Sequence, residues 1–183
     1  HGLRTPESME AYHIVVNADH TVTAPAFAGP DIPVVIAPTT LSGGEFNALS
    51  GATDKVTNVK QGYAHPRMTA RAVIMDPALT LHTPEWIWLS TGVRSFDHAV
   101  ETLGSLNSND WYDGMAMNAV RLLSQGLPRV KANPNDLEAR QMCQMGAWCS
   151  MTSIVCGLPM GISHAVGHAL GGSFDVPHGY TSC

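Results

Sequence analysis

The hydrophobic pattern of this chain changes near residue 82, and that change limits what the chain can fold into. On the N-terminal side, apolar residues come in short β-branched runs broken by Pro and Gly. Residues 32–37 (IPVVIA) form a continuous apolar run, the pattern of a strand buried on both faces of a parallel sheet. Residues 72–76 (AVIMD) read the same way. Residues 49–53 and 58–63 flank Asp54-Lys55-Val56-Thr57 and predict a hairpin, while residues 11–17 read as a short strand or a helix end. After Leu81 the signals are helical. Thr83-Pro84-Glu85 opens a helix with Thr as N-cap, Pro in the first turn and an acid behind it, and that helix should run to Leu103, before Gly104. A second helix is expected over 112–125, stopped by Gly126 and Pro128. A third opens on a capping box, Asn135 with Glu138, and runs to Val155. A fourth covers 162–169 and ends at Gly171-Gly172.

The chain has 183 residues and is 44% hydrophobic, so it can build a core and is not disordered. Its charged fraction of 14% is low against the roughly 25% usual for globular proteins, which points to surface that is meant to be covered. A net charge of -5, from 10 bases and 15 acids, argues against a nucleic-acid-binding face. No apolar run reaches the roughly 18–20 residues of a membrane span. Cys143, Cys149, Cys156 and Cys183 form no Cys-x-x-Cys pair and make a poor disulfide framework, so they read as buried free thiols in a reducing cytoplasm. The chain opens without Met or a signal core, and both ends read as cut.

The placement of histidine carries the chemistry. Of the 9 His, His164 and His168 are four apart and share one helix face. His178 follows within a Pro177-His178-Gly179 turn, and His98 lies on the first helix in Arg94-Ser95-Phe96-Asp97-His98-Ala99-Val100-Glu101. Imidazole ligates metals and shuttles protons near neutral pH. From the residues alone this group is either such a site or a satisfied polar cluster.

Residues 161–179 (GISHAVGHALGGSFDVPHG) resemble the signature of the iron-containing alcohol dehydrogenase superfamily, which includes the maleylacetate reductases. Residues 38–45 (PTTLSGGE) resemble that family's nucleotide-contacting turn in its maleylacetate reductase branch, and residues 76–81 (DPALTL), 91–93 (TGV) and 98–101 (HAVE) follow in family order. The resemblance implies a dehydroquinate synthase-like architecture: a Rossmann-like α/β nucleotide-binding domain, here residues 1–82, followed by an all-α helical domain, here 83–183, with the active site between them. Family members are about twice as long, so the chain reads as an internal fragment that lacks the glycine-rich phosphate loop. The resemblance also implies a cytoplasmic homo-oligomer, a dimer, acting on a small molecule.

By the same resemblance, Thr39, Thr40, Ser42, Lys60 and Leu79, with Leu81 beside it, contact NAD(P)H. His168 handles the proton beside the nicotinamide, and His98, His164 and His178 are metal ligands. The fourth ligand position, an Asp in metal-using members, is held here by Arg94, one helical turn before His98. Arg has no lone pair to donate and stays charged. That weakens the case for Fe²⁺ or Zn²⁺ and makes Arg94 a catalytic candidate with His98 and His168. The expected reaction is metal-free, NAD(P)H-dependent reduction of a small carboxylated carbonyl or enoyl substrate, as in maleylacetate reductases. The alternatives are a metal-dependent alcohol dehydrogenase using Fe or Zn, and a non-catalytic subunit whose site has decayed. NAD and NADP are not distinguished.

Overall fold

A computed structural model of the chain describes residues 9–17, 19, 22–53, 60–174 and 180. The chain divides into two compact units. One comprises the described residues of His1–Ile36 and Asn47–Ala72, the other those of Ala37–Phe46 and Val73–Cys183.

The first unit is built from short strands. β1 (Val15–Val16) pairs antiparallel with β2 (Val22–Thr23). The predicted hairpin forms as β4 (Leu49–Thr53) and β5 (Lys60–Ala64), antiparallel with Gly51 opposite Gly62. Residues 11–17 are both of the things they read as, a 3-10 turn at Glu10–Tyr12 and then β1. Tyr12, Phe27 and His65 meet in series, Tyr12 edge-on to Phe27 and Phe27 tilted against His65, with ring centroids 5.4 and 4.8 Å apart. Gly29 packs on the His65 ring: its φ is +71° and a Cβ there would lie 2.2 Å from the imidazole.

The two apolar runs behave differently from the expectation of strands buried on both faces. Strand β3 is only Val35–Ile36 and β6 only Ala72–Val73. Ile32 is 79% exposed, and Val34, Val35 and Ile74 are also exposed. Every sheet among the described residues has two strands, so neither run has the neighbours that would cover both its faces.

The second unit is helical, with α1 (Glu85–Leu103), α2 (Asp110–Ala132), α3 (Leu137–Val155) and α4 (Ile162–Phe174). Its core joins Trp88 of α1, Leu123 and Val130 of α2, and Ala139, Cys143 and Ala147 of α3 to Leu41. Helix α1 starts and ends as predicted, but Thr83 does not cap it. The Thr83 hydroxyl donates instead to the Thr39 carbonyl at 2.7 Å.

Helix α2 runs straight through the predicted stop. Its cap is Asn109, whose side chain accepts from the Trp111 and Tyr112 N–H groups. Gly126 is an approach point for α3: a Cβ there would sit 2.6 Å from Cys143 Sγ. Close helix packing outweighs the intrinsic cost of Gly and Pro inside a helix. Helix α3 is capped by Asp136, which accepts from Ala139 N–H at 3.0 Å, and not by Asn135. It ends where expected, at Gly157 with φ +97°. Helix α4 continues past Gly171-Gly172 to Phe174. Cys143 and Cys149 are buried free thiols as read, whereas Cys156 is exposed. No described helix is long and apolar enough to cross a membrane.

Residues 37–46 and 73–82 precede the change of pattern at residue 82, yet they pack with the helices. Arg140 of α3 secures the second of these segments. It is buried, its Nη1 donates to the Thr80 carbonyl and hydroxyl at 3.0 and 3.1 Å, and its Nε donates to Pro134 O at 2.7 Å. Its guanidinium lies 4.7 Å from the centre of the Trp88 ring.

Candidate active site

One face of α1 carries the site, because residues three, four and seven apart on a helix lie above one another. Arg94, Asp97, His98 and Glu101 follow that spacing. Arg94 and His98 are buried, at 3% and 4% exposure. The N-terminal turn of α4 meets this face and brings His164, also 4% exposed.

The Nε2 atoms of His98 and His164 lie 3.1 Å apart and the two rings stack at 4.9 Å. On the other side of the His164 ring, Nδ1 lies 2.5 Å from Glu101 Oε2. Glu101 Oε1 accepts from the N–H groups of Ser163 at 2.8 Å and His164 at 3.3 Å. Asp97 accepts from the Ser163 hydroxyl at 2.8 Å and lies 3.9 Å from His164 Nδ1. Thr102 donates to the His98 carbonyl at 3.0 Å, which fixes that turn of α1.

Burial and then the Arg94 charge push the His164 pKa below its ordinary value, against the pull of Glu101 and Asp97. Burial pushes the Arg94 guanidinium down, opposed by Asp97 and Glu101. Burial alone would raise the Glu101 carboxyl, but hydrogen bonds and the charge of His164 together hold it below its ordinary value. Near neutral pH the pair is therefore an ionised carboxylate beside a neutral imidazole, and the charge attraction operates only once His164 is protonated.

A second cluster sits on the turn before the 3-10 helix Gly44–Phe46. Leu41 is fully buried and anchors it. Its N–H donates to the Thr91 hydroxyl at 3.1 Å, and its carbonyl accepts from the Ser95 hydroxyl. With Thr83, two residues before α1, donating to the Thr39 carbonyl, the turn is held at three points. The turn presents Thr39, Thr40 and Ser42, with the Thr40 and Ser42 hydroxyls 3.1 Å apart. Gly43 has φ +75° and packs on Met151. Gly44 beside it faces open space, since a Cβ there would meet nothing within 4 Å. Exposed hydroxyls beside uncovered backbone on a fixed turn fit the polar part of a nucleotide.

Of the residues singled out from sequence, the structure brings Arg94, His98 and His164 together. Thr39, Thr40 and Ser42 share the turn. Leu79 and Leu81 lie exposed on the 3-10 helix Pro77–His82. Lys60 is on β5, in the other unit, and His168 is on α4 one turn after His164; their side chains are outside the described set. His178 lies outside the described residues. Sequence reading passed over Glu101 and Ser163 as parts of the site, and Thr91 and Ser95 as anchors of the turn. The spacing 91, 94/95, 98, 101/102 marks one stripe of α1 and could have found Thr91, Ser95 and Glu101 as neighbours of Arg94 and His98, whereas nothing in it points to Ser163 on α4.

The sequence model for the C-terminal part of the Fe-containing alcohol dehydrogenase family matches residues 88–183, and the chain belongs to that family. Within it, the chain is similar to maleylacetate reductases. It is 36% identical to the one from Pseudomonas sp. (strain P51) over 151 residues, covering 82% of this chain and 42% of the relative. The crystal structure of maleylacetate reductase from Agrobacterium tumefaciens matches with a TM-score of 0.76 at 33% identity, over 83% of this chain and 43% of that one. Sulfoacetaldehyde reductase from Bifidobacterium kashiwanohense, solved in complex with NAD+, matches with a TM-score of 0.74 at 27% identity, over 82% and 40% of the two chains. The chain thus spans about two-fifths of the length of these relatives.

Proposed function

We propose that the protein carrying this chain is an NAD(P)H-dependent reductase of a small carboxylated carbonyl or enoyl compound, as in maleylacetate reductases, and that it works without a metal. The observation that carries this reading is Arg94, buried one helical turn before His98, with its charge acting on His164. A dication on His98 and His164 would share that field. At about 4 Å and an effective dielectric near 20, the repulsion is roughly 8 kcal/mol. That charge disfavours a divalent cation held by His98 and His164.

When bound, the nicotinamide cofactor supplies the hydride. Thr39, Thr40 and Ser42 would hold its polar part, with Lys60 and Leu79 as further contacts. Reduction also needs a proton and a counter-charge for the electron density that develops on the substrate. Arg94 provides the charge through a poorly screened interior. His168 is assigned the proton donation that the family resemblance implies, and His98 and His164 add polar groups to the site. The wider reading is a dehydroquinate synthase-like enzyme with a Rossmann-like domain ending near residue 82, cytoplasmic and dimeric, with the small-molecule substrate between its two domains.

One observation favours a metal-dependent alcohol dehydrogenase instead: Asp97, Glu101 and His164 offer ligand atoms within 4.8 Å of one another. Chelator separates the readings. NADH and NADPH oxidation with maleylacetate and a panel of aldehydes should persist in chelator, and Arg94→Asp should lose turnover while gaining affinity for Co²⁺. Activity abolished by chelator supports the metal reading, and unchanged turnover in metal-free Arg94→Asp removes the role given to Arg94. Failure to bind either dinucleotide leaves a non-catalytic subunit.

A further inference from the structure

The geometry points to Glu101 as the positioning residue of the histidine pair: one carboxylate holds the N-terminus of α4 and fixes His164 in the tautomer protonated on Nδ1. The inference rests on the site proposed above for its location only, so its failure leaves the Arg94 test standing.

The hydrogen bonds divide cleanly between the two carboxylate oxygens. Oε1 takes the Ser163 and His164 N–H groups, at 2.8 and 3.3 Å. These are among the first N–H groups of α4, which have no partner within the helix. A carboxylate there also meets the positive end of the helix dipole. Oε2 is left for His164 Nδ1, at 2.5 Å. An ionised carboxylate only accepts, so Nδ1 must be the donor. A neutral imidazole with its proton on Nδ1 has its lone pair on Nε2. That lone pair faces His98 Nε2 at 3.1 Å, so His98 donates and His164 accepts. Glu101 thereby sets the direction of the hydrogen bond between the two histidines without touching His98.

Two neighbours are shaped to this arrangement. Gly161 leaves the space that Glu101 occupies: a Cβ on it would lie 2.8 Å from Glu101 Oε1 and 3.1 Å from its carboxyl carbon. Asp97 takes the Ser163 hydroxyl at 2.8 Å, which ties the same turn of α4 down a second time. The pattern is the one by which a carboxylate orients a working histidine through its far nitrogen.

The test reads ring nitrogens and backbone amides of the 183-residue chain together. Long-range ¹H–¹⁵N ring spectra should show His164 protonated on Nδ1. Glu101→Gln keeps the size but has one accepting oxygen for three donors. Either the His164 proton moves to Nε2, or the Ser163 and His164 amides exchange about tenfold faster, the ratio matching one net hydrogen bond. Gly161→Ala leaves Glu101 intact and displaces it, so it should change the same two readouts. A His164 protonated on Nε2 in the unsubstituted chain overturns the inference. So does Glu101→Gln or Gly161→Ala with both readouts unchanged.

Discussion

Replacing Arg140 by Lys should destabilise the protein more than replacing it by Met. The order reverses ordinary conservatism, and the structure says why. In Arg140→Met no buried acceptor is orphaned. The Thr80 carbonyl keeps the Thr83 N–H at 3.0 Å, the Thr80 hydroxyl still donates to Pro77 O at 2.6 Å, and Pro134 is exposed, so its carbonyl reaches water. The lost charged hydrogen bonds are offset by the several kcal/mol of desolvation that a buried ion costs. The remaining loss is mainly the contact with Trp88, about 1–2 kcal/mol. Arg140→Lys keeps a buried cation but has a single nitrogen, which cannot serve Thr80 and Pro134 together. It forfeits at least one charged hydrogen bond, about 1.5–3 kcal/mol, on top of the ring contact. The total is about 2.5–5 kcal/mol. With a urea m value of about 2 kcal/mol/M, the Lys variant should unfold about 1 M earlier than the Met variant. A Lys midpoint equal to or above the Met midpoint refutes the reasoning. It would mean that the guanidinium fork is not what fastens Thr80, and with it the 3-10 helix that carries Leu79.

Gly126→Ala should lower the urea midpoint, because overpacking against Cys143 costs about 1–3 kcal/mol and outweighs the gain in helix propensity; adding Cys143→Ala should recover part of the loss. Acidification should destabilise the protein in two stages. His164 is depressed below 6.5 in the folded state, so the unfolded chain takes up that proton first and stability falls as pH drops below 6.5. Glu101 is depressed below 4.5, so its contribution is complete above 4.5 and is lost as pH falls through its lower folded value. Urea midpoints from pH 8 to 2 measure both stages, and His164→Asn should flatten the first. Burial pushes the Cys143 thiol up to about 12, so brief alkylation at pH 8 followed by mass mapping should label the exposed Cys156 and spare Cys143.

The boundaries of α1 and the C-terminal end of α3 were legible because glycines and prolines act locally. The extent of α2 was not. Gly126 and Pro128 are helix breakers by propensity, but Gly126 packs on Cys143 of α3, a helix that the sequence does not show beside α2. The caps of α1 and α3 failed for the same reason on a smaller scale. The Thr83 hydroxyl turns to donate to the Thr39 carbonyl, and Asp136, one residue past Asn135, had the reach to Ala139 N–H. The apolar runs at 32–37 and 72–76 read as buried strands because their composition reports what such residues need, not what is present to cover them. In the site, spacing sufficed to place Arg94 and His98 on one stripe, and the resemblance joined His164 to them. The carboxylate behind His164 was hidden, because Glu101 and Ser163 are 62 residues apart and only the meeting of α1 with α4 makes them partners.

The three-point attachment of the Thr39–Ser42 turn has a consequence for how the chain acquires its structure. Leu41 meets Thr91 fifty residues downstream and Ser95 fifty-four downstream. During synthesis the turn emerges well before the helix that shapes it, and its buried leucine has no core to enter until α1, α2 and α3 exist. The Thr39–Ser42 turn should therefore be among the last parts of this unit to settle. A pulse-labelled refolding experiment should find the Leu41 amide protected only after the amides of α2 and α3.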